Sequence, residues 1–170
     1  IFRYFNAAGA HFECRAGEFH EPEPHLIPNI IKSALNNQIV LINGIDYATK
    51  DGTCIRDYTH VSDIAEAHTL ILDKVLCDNL ILKSNIFNLG TGTGHSIFDI
   101  IKTIERVTDK KIRYRVCPRR PGDPTSLIAD SQKITKVIGW KPIIPEIDKI
   151  VLDAYNWELK LQKLKVNLNL

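Results

Sequence analysis

The stretch NLGTGTG at residues 88–94, followed at once by HSIFDIIKTIERV at residues 95–107, decides how this chain is organised. The run SNIFNLG at 84–90 predicts a strand, the glycines predict a turn, and the apolar residues that follow recur at helical spacing. Ser96 and Asp99 resemble a capping box, with Asp in place of the usual Glu, and predict the start of that helix. A strand, a turn and a helix in this order are typical of an α/β fold.

The alternation of strands and helices continues over the rest of the chain. Further strands are predicted at residues 1–5, 38–43, 54–61 and 111–118, and further helices at 26–37, from the N-cap Ser62, from Asp130 or Ser131 to Gly139, and from Pro145 to 162. AAGAH after the first strand predicts a turn, and residues 11–25 and 119–130 predict loops. The sequence therefore predicts an α/β domain with short crossovers.

Composition excludes several classes of protein. The chain of 170 residues is long enough for one sizeable core, and its net charge of +2 with scattered basic residues does not indicate a nucleic-acid or membrane-surface protein. No apolar run approaches the roughly 20 residues that cross a bilayer. The four cysteines contain no CxxC pair and the six histidines are dispersed, so we predict free thiols, an intracellular protein and no metal site.

The start of the chain is unusual. It opens directly on the β-prone run IFRYFN, and the sequence contains no Met. We therefore expect that the sequence begins partway through a longer protein.

The glycine-rich turn is a candidate for binding the phosphates of a dinucleotide. Gly90 and Gly92 match the first two glycines of G-x-G-x-x-G, but His95 occupies the third position. The acidic residue expected about 20 positions on would fall near Asp109, at the end of a helix rather than of a strand. The pattern favours a structural turn, although an anion at the helix N-terminus stays possible.

A second candidate is RRPGDP at 119–124. Arginine binds phosphate through two parallel hydrogen bonds, and an aspartate accepts hydrogen bonds from vicinal hydroxyls such as those of ribose. One short loop could thus hold a sugar nucleotide by its phosphate and its ribose. From spacing alone, an ordinary surface loop with a local Arg–Asp ion pair is the more common outcome.

Polar residues are also concentrated inside the strand predicted at 54–61. Alternation puts Arg56, Tyr58 and His60 on one face and Asp57 and Thr59 on the other. The first face suits a pyrophosphate, but the same residues could equally form a buried polar network. No G-x-S-x-G motif and no Y-x-x-x-K pair occurs, so the sequence predicts no catalytic residue.

The order of six segments resembles UDP-glucose 4-epimerases of the extended short-chain dehydrogenase/reductase group. These segments are RYFNAAGA, GEFHEPEPHLIP, DYATKDGTCIRDYTHVSD, NIFNLGTGTGHS, RRPGDP and IGWKP. The resemblance covers almost the whole chain, from Arg3 to about Trp157. The resemblance implies that residues 1–170 form the C-terminal UDP-sugar-binding domain of a Rossmann-type, NAD(P)-binding epimerase. A few strands would belong to a parallel sheet whose other members, with the dinucleotide-binding domain, are absent from this chain.

The resemblance also implies an activity. In the family, bound NAD removes a hydride from C4 of a UDP-hexose, the 4-keto sugar turns over, and the hydride returns to its other face. This chain would supply the UDP-sugar site of a cytoplasmic, homodimeric enzyme and would be inactive alone. Two alternatives stay open: a related uronate epimerase or 4,6-dehydratase, and a non-catalytic module that binds nucleotide sugars.

Residue roles follow from the same resemblance. Leu127 stands where some relatives carry a Tyr that closes the sugar pocket, which leaves room for a UDP-N-acetylhexosamine. The other implied contacts are Phe5 near the nicotinamide, Asn6 on the substrate, His25 and Leu26 on the UDP moiety, Leu41, Ile42 and Asn43 around the uracil, Arg56 and Arg120 on the pyrophosphate, and Asp123 on the ribose.

Overall fold

The computed structural model describes residues 1–77 and 86–168 and confirms an α/β fold with parallel strand pairs. In chain order the elements are β1 (Phe2–Tyr4), β2 (Asn6–Ala8), α1 (Leu26–Leu35), β3 (Ile39–Asn43), β4 (Ile55–His60), α2 (Val61–Leu76), β5 (Phe87–Leu89), β6 (Gly94–Ser96), α3 (Ile97–Thr108), β7 (Arg113–Cys117), β8 (Ser126–Leu127), α4 (Gln132–Ile138) and α5 (Ile147–Leu168). Residues 84–85 of the predicted strand SNIFNLG lie outside the described residues.

Strand β4 is the centre of the strand arrangement. It pairs in parallel with β2 and β8 and antiparallel with β6. Two further parallel pairs, β1 with β5 and β3 with β7, flank it. The parallel register of β2 and β4 places Asn6 opposite Tyr58.

Several predicted boundaries were wrong. The first strand is two strands: a bend at Phe5 separates β1 from β2, so the expected turn AAGAH contributes a strand that pairs with β4. The glycine turn and the loop 119–130 likewise contribute β6 and β8. Pairing with β4 overrides local turn propensity in all three places, because it gives their backbone groups hydrogen-bond partners.

Helix termini follow side-chain chemistry. The capping box is confirmed, since Asp99 N donates to Ser96 Oγ at 3.0 Å and Ser96 N donates to Asp99 Oδ2 at 3.1 Å. Gly139 ends α4 at φ 78°, as expected for a left-handed terminator. The N-cap of α2, however, is His60 and not Ser62, because the His60 ring accepts from Ser62 N at 3.0 Å. Helix α5 begins at Ile147, two residues after Pro145.

Two clusters of buried apolar side chains hold the elements together. The larger lies among α1, α3, α5, β3 and β4 and includes the fully buried Ile30, Ile31, Ile100, Ile104 and Ile150. The smaller lies among α2, α4 and β5 and includes Phe87, Leu89 and Trp140. Burying one such side chain contributes about 1.5–3 kcal/mol, so these clusters fix the frame on which the loops sit. Among the described residues, no helix combines the length and apolarity needed to span a membrane.

Candidate functional site: a polar cavity beside β4

A cavity of about 600 Å³ opens between β2, β3, β4, the start of α1 and the loop 119–124. It is the meeting point of most residues that the resemblance implicates in substrate binding. Those that line it are Asn6, His25, Leu26, Leu41, Asn43, Arg56, Arg120 and Asp123. These residues come from five separate parts of the chain, and the fold alone brings them together.

Three implicated residues do not line this cavity. Ile42 lies on the opposite side of β3 from Leu41 and Asn43, and its side chain is buried in the core. Phe5 is half-buried at the bend between β1 and β2. Leu127 lies in β8 beside Arg56, with 42% of its surface exposed.

The two arginines of the cavity converge on one carboxylate. Arg56 Nη2 donates to Asp123 Oδ1 at 2.9 Å, and Arg120 Nη2 donates to Asp123 Oδ2 at 3.2 Å. Arg56 also donates to the carbonyls of Ile55 and Pro124 at 2.8 Å. Its side chain is only 13% exposed and therefore rigidly placed, whereas that of Arg120 is 66% exposed. Two guanidinium groups against one carboxylate leave a net positive charge at the cavity, which suits a phosphate anion.

The neighbouring Arg119 has a different role. Its guanidinium group lies over the ring of Tyr47, 4.0 Å from the ring centroid, and its Nε donates to Asp46 Oδ1 at 2.7 Å. The doublet at 119–120 is thus divided. Arg119 holds the loop against residues 46–47, and Arg120 faces the cavity.

The glycine turn binds an anion that belongs to the protein itself. Asp57 is fully buried, and its Oδ1 accepts from Thr91 N at 3.0 Å and from Thr91 Oγ1 at 2.6 Å. Its Oδ2 accepts from Gly92 N at 2.9 Å and from Ala129 N at 3.2 Å. The amides that would cradle a phosphate are therefore occupied, and the structural interpretation of NLGTGTG agrees with this geometry.

The residues of the polar face predicted for β4 have two different environments. Tyr58 lines the cavity beside Arg56, and burial raises the pKa of its hydroxyl above the ordinary value. His60 is instead buried against Asp153, with Nε2 and Oδ2 3.3 Å apart. Burial lowers the pKa of His60 although Asp153 opposes that shift, and its Nδ1 accepts from Ser62 N, so the neutral ring carries its proton on Nε2. Both outcomes that the pattern left open, a cavity face and a buried network, thus occur within one strand.

Some cavity residues were missed by sequence reasoning. Cys54 forms part of the wall, and burial raises the pKa of its thiol, which keeps it protonated. Tyr47, under Arg119, also has a raised pKa because it is buried and Asp123 is nearby. Cys54 precedes β4 by one residue and lies in the same predicted strand as Arg56, but the sequence indicated only a free thiol there and no contact with a ligand.

The histidines are less dispersed in space than in sequence. Contrary to the expectation from spacing, His20 and His25 lie together with Glu18 and Glu23 next to the cavity. His25 belongs to this group and also lines the cavity, so the two are adjacent. Within the part of the chain that the structure describes, these four side chains are the group whose donor atoms lie close enough together to bind one metal ion.

The strand pairing defines an α/β protein, and Arg56 and Arg120 line its cavity. A model of the family described as GDP-mannose 4,6 dehydratase matches residues 2–151. The chain belongs to this family.

Comparison with individual proteins gives a narrower likeness. The UDP-glucose 4-epimerase of Lactobacillus helveticus is 47% identical over 156 residues, which cover 91% of this chain and 46% of that protein. The solved structure of UDP-glucose-4-epimerase from Stenotrophomonas maltophila, with bound NAD and formylated UDP-arabinopyranose, superposes with a TM-score of 0.89 at 35% identity, covering 96% of this chain and 48% of that one.

The solved UDP-glucose 4-epimerase of Bifidobacterium longum, in complex with NAD⁺ and UDP, gives a TM-score of 0.84 at 39% identity over 94% of this chain and 47% of that one. This chain therefore spans about half the length of the curated relatives it matches.

Proposed function

We propose that this chain is the UDP-sugar-binding part of a UDP-glucose 4-epimerase. The observation that carries the proposal is the pair Arg56 and Arg120, both bonded to Asp123 at the wall of the cavity. The sequence likeness to UDP-glucose 4-epimerases over nearly the whole chain supports it. In this proposal residues 1–170 act as one UDP-sugar-binding domain.

The geometry suggests how the ligand would be divided among the walls. The diphosphate binds Arg56 and Arg120, and Asp123, which orients both guanidinium groups, accepts hydrogen bonds from the ribose. Leu41 and Asn43 contact the uracil from β3, while His25 and Leu26 contact the UDP moiety from the start of α1. Asn6 contacts the sugar, its side-chain amide held by a hydrogen bond to the Asp57 carbonyl at 2.8 Å. Ile42 supports this wall from behind, within the core.

NAD is the cofactor that the proposed activity requires, and when bound it accepts and returns the hydride of the sugar. The described residues do not fit a complete NAD site. The glycine turn cannot hold its phosphates, because the amides of Thr91 and Gly92 donate to Asp57. Phe5 is the single candidate contact for the nicotinamide, and the sequence has no Y-x-x-x-K pair. We therefore assign to this chain the holding of the UDP group and expect no turnover from it alone.

A 4,6-dehydratase acting on a nucleotide sugar is the second candidate, favoured by the description of the matching family. It would use the same diphosphate contacts, so UDP binding does not separate the two reactions. Product analysis does: the enzyme that contains this chain should convert UDP-galactose to UDP-glucose without loss of water. A 4-keto-6-deoxy product would make the dehydratase correct.

Sedimentation of the same enzyme would test the proposed homodimer, and cell fractionation would test the proposed cytoplasmic location.

The site itself is tested by titrating the chain with UDP in a calorimeter. Arg120→Ala should weaken UDP binding about 10–100-fold, because a charge-assisted hydrogen bond to phosphate contributes about 1.5–3 kcal/mol. Arg119→Ala is the matched control, since it removes an equal charge one residue away. Its effect should stay within about threefold. Equal weakening by both variants would mean that net charge, and not the geometry at Asp123, binds the ligand.

The size of the sugar pocket is proposed to depend on Leu127. Leu is smaller than Tyr, so the site should accept UDP-N-acetylhexosamines as well as UDP-hexoses. Leu127→Tyr should weaken UDP-N-acetylglucosamine binding by about tenfold relative to UDP-glucose, the range expected when a pocket loses room for a small group. If Leu127→Tyr left the ratio of the two affinities unchanged, whether or not both fell, the proposal would be contradicted.

A further inference from the structure

Four side chains of the segment between β2 and α1 point to a common centre. Their donor atoms are the Nδ1 atoms of His20 and His25 and carboxylate oxygens of Glu18 and Glu23, and all four lie within 4.8 Å of one another. The segment GEFHEPEPH places them within nine residues, but only its folded path makes them converge.

Three of the separations between these atoms are close to those of ligands around one ion. In a tetrahedral zinc site with bonds of about 2.0–2.2 Å, neighbouring ligand atoms lie roughly 3.3–3.5 Å apart. Here His20 Nδ1 is 3.1 Å from Glu18 Oε1 and 3.8 Å from Glu23 Oε1, and His25 Nδ1 is 3.4 Å from Glu23 Oε1. His25 Nδ1 forms a direct hydrogen bond with Glu18 Oε1, and these two atoms would have to move apart for both to bind the same ion.

The backbone that carries the four side chains is anchored from two helices. Trp157 of α5 donates from Nε1 to the Glu18 carbonyl at 2.7 Å, and Asn29 of α1 donates from Nδ2 to the Glu23 carbonyl at 2.9 Å. The Trp157 ring also packs on Gly17, where an added Cβ would lie 2.4 Å from it. Ligands on an anchored backbone are positioned before the ion arrives, which reduces the entropy lost on binding.

The second oxygen of Glu23 is already used. Its Oε2 accepts from Lys32 Nζ at 3.1 Å, which leaves Oε1 toward the two histidines. The Glu23 side chain is only 5% exposed. An outer partner that fixes a ligating carboxylate in this way is a regular part of protein metal sites.

We propose that Glu18, His20, Glu23 and His25 bind a divalent transition-metal ion, with Zn²⁺ as the best match. Two imidazole nitrogens disfavour Mg²⁺ and Ca²⁺, which prefer oxygen ligands, and the two carboxylates favour a divalent over a soft monovalent ion. Four protein ligands leave no open position, so the site is structural rather than catalytic. The proposal does not depend on the enzymatic activity proposed above.

Such an ion would have a defined effect on the fold. His25 is the residue at the N-cap position of α1 and makes no side-chain cap there. Coordination through its Nδ1 would fix the start of α1, and with it one wall of the cavity, to the segment that Trp157 anchors. The bound ion would thus hold the N-terminus of α1 in place of a side-chain cap.

The test uses the whole chain after removal of metal by a chelator. Titration with Zn²⁺ in a calorimeter should show one ion bound per chain, and Co²⁺ should give the intense visible absorption of a four-coordinate site. Ca²⁺ should not bind. His20→Ala combined with His25→Ala should weaken Zn²⁺ binding by at least about 100-fold, because it removes two direct ligands, whereas loss of an outer partner costs about 10–100-fold. His68→Ala, which removes an exposed histidine of α2, is the matched control and should leave the affinity unchanged.

The rings of His20 and His25 are 49% and 55% exposed, so their removal should leave the core intact. If the double variant nevertheless fails to fold, Glu18→Gln, which keeps the side-chain shape and removes one ligand charge, should still weaken Zn²⁺ binding by about tenfold or more. The proposal is overturned if the metal-free chain shows no saturable Zn²⁺ binding, or if the variants bind Zn²⁺ as tightly as the original chain does.

Discussion

The glycine turn at 88–94 and the arginine loop at 119–124 are both sequences typical of anion binding, yet the fold uses them in opposite ways. In the turn, the amides of Thr91 and Gly92 donate to the buried carboxylate of Asp57. In the loop, Arg120 is bonded to Asp123 but still lines the cavity and is largely exposed. The glycine turn binds a carboxylate of the protein itself, whereas the arginine loop leaves a positive charge accessible to a ligand.

The difference teaches that donor number matters as much as donor type. A backbone amide has a single N–H, so one hydrogen bond to Asp57 exhausts it. A guanidinium group has several N–H donors, and Asp123 accepts from only some of those on Arg56 and Arg120. Asp123 can therefore orient the arginines without preventing them from binding a phosphate.

The largest expected effect comes from removing the internal anion. Asp57→Ala leaves the amides of Thr91, Gly92 and Ala129 without their acceptor in a buried site, and should lower the free energy of unfolding by about 3–5 kcal/mol. Asp123→Ala is the matched change in the other loop. Arg56, whose side chain is only 13% exposed, would lose one partner but keep its hydrogen bonds to the carbonyls of Ile55 and Pro124. The change should therefore lower stability by about 1–2 kcal/mol while abolishing tight UDP binding.

Urea denaturation followed by circular dichroism measures both stabilities. Similar losses for Asp57→Ala and Asp123→Ala would mean that the two loops do not differ in the way described.

Glycine substitutions give the next largest effect. A Cβ at Gly90 would lie 2.2 Å from Ala129 Cβ and 2.6 Å from Asp57 Oδ2, so Gly90→Ala should cost about 2–3 kcal/mol through overpacking. Gly122 has φ of 81° with nothing near its Cβ position, so Gly122→Ala should cost only about 1 kcal/mol of backbone strain. Thermal melts of both variants compare them directly, and the reverse order would contradict the packing described around Asp57.

The smallest effect is on the acid stability of the glycine-turn region. Asp51 accepts hydrogen bonds from Thr53 N at 2.9 Å and from Ser96 Oγ, beside the start of α3. Burial alone would raise the pKa of Asp51, but these hydrogen bonds outweigh it and lower that pKa below its ordinary value. A carboxyl with a lowered pKa in the folded state contributes stability that is complete above its unfolded pKa, near 3.8, and is lost as the pH falls through the lower, folded value.

Asp51→Asn should therefore reduce the fall in melting temperature below about pH 4. If Asp51→Asn left the fall in melting temperature at low pH unchanged, the hydrogen bonds to Asp51 would not stabilise its ionised form.

Local signals predicted much of the secondary structure. The capping box of Ser96 and Asp99 and the terminator Gly139 behave as their chemistry requires, because a cap depends on neighbours within one turn. The short strands β2, β6 and β8 were not predicted. Each has only two or three residues, and pairing with β4, far away in the chain, stabilises it. Most residues implicated at the cavity came from resemblance to a family, whereas Arg56, Arg120 and Asp123 were also indicated by their own chemistry, and the role of all of them in binding stays a proposal.

The sequence by itself determined the α/β class, most helices, and the residues able to bind an anion. Only the tertiary structure decided which of those residues remain available. Asp57 reaches Thr91 across 34 positions and Ala129 across 72, so no local pattern reveals that the glycine turn is occupied. The same holds for Arg119, which Asp46 and Tyr47 hold away from Arg120, and for His20 and His25, which a folded loop brings together. A hydrogen-bond donor has a limited capacity, and its partner is fixed by distance in space rather than by separation along the chain.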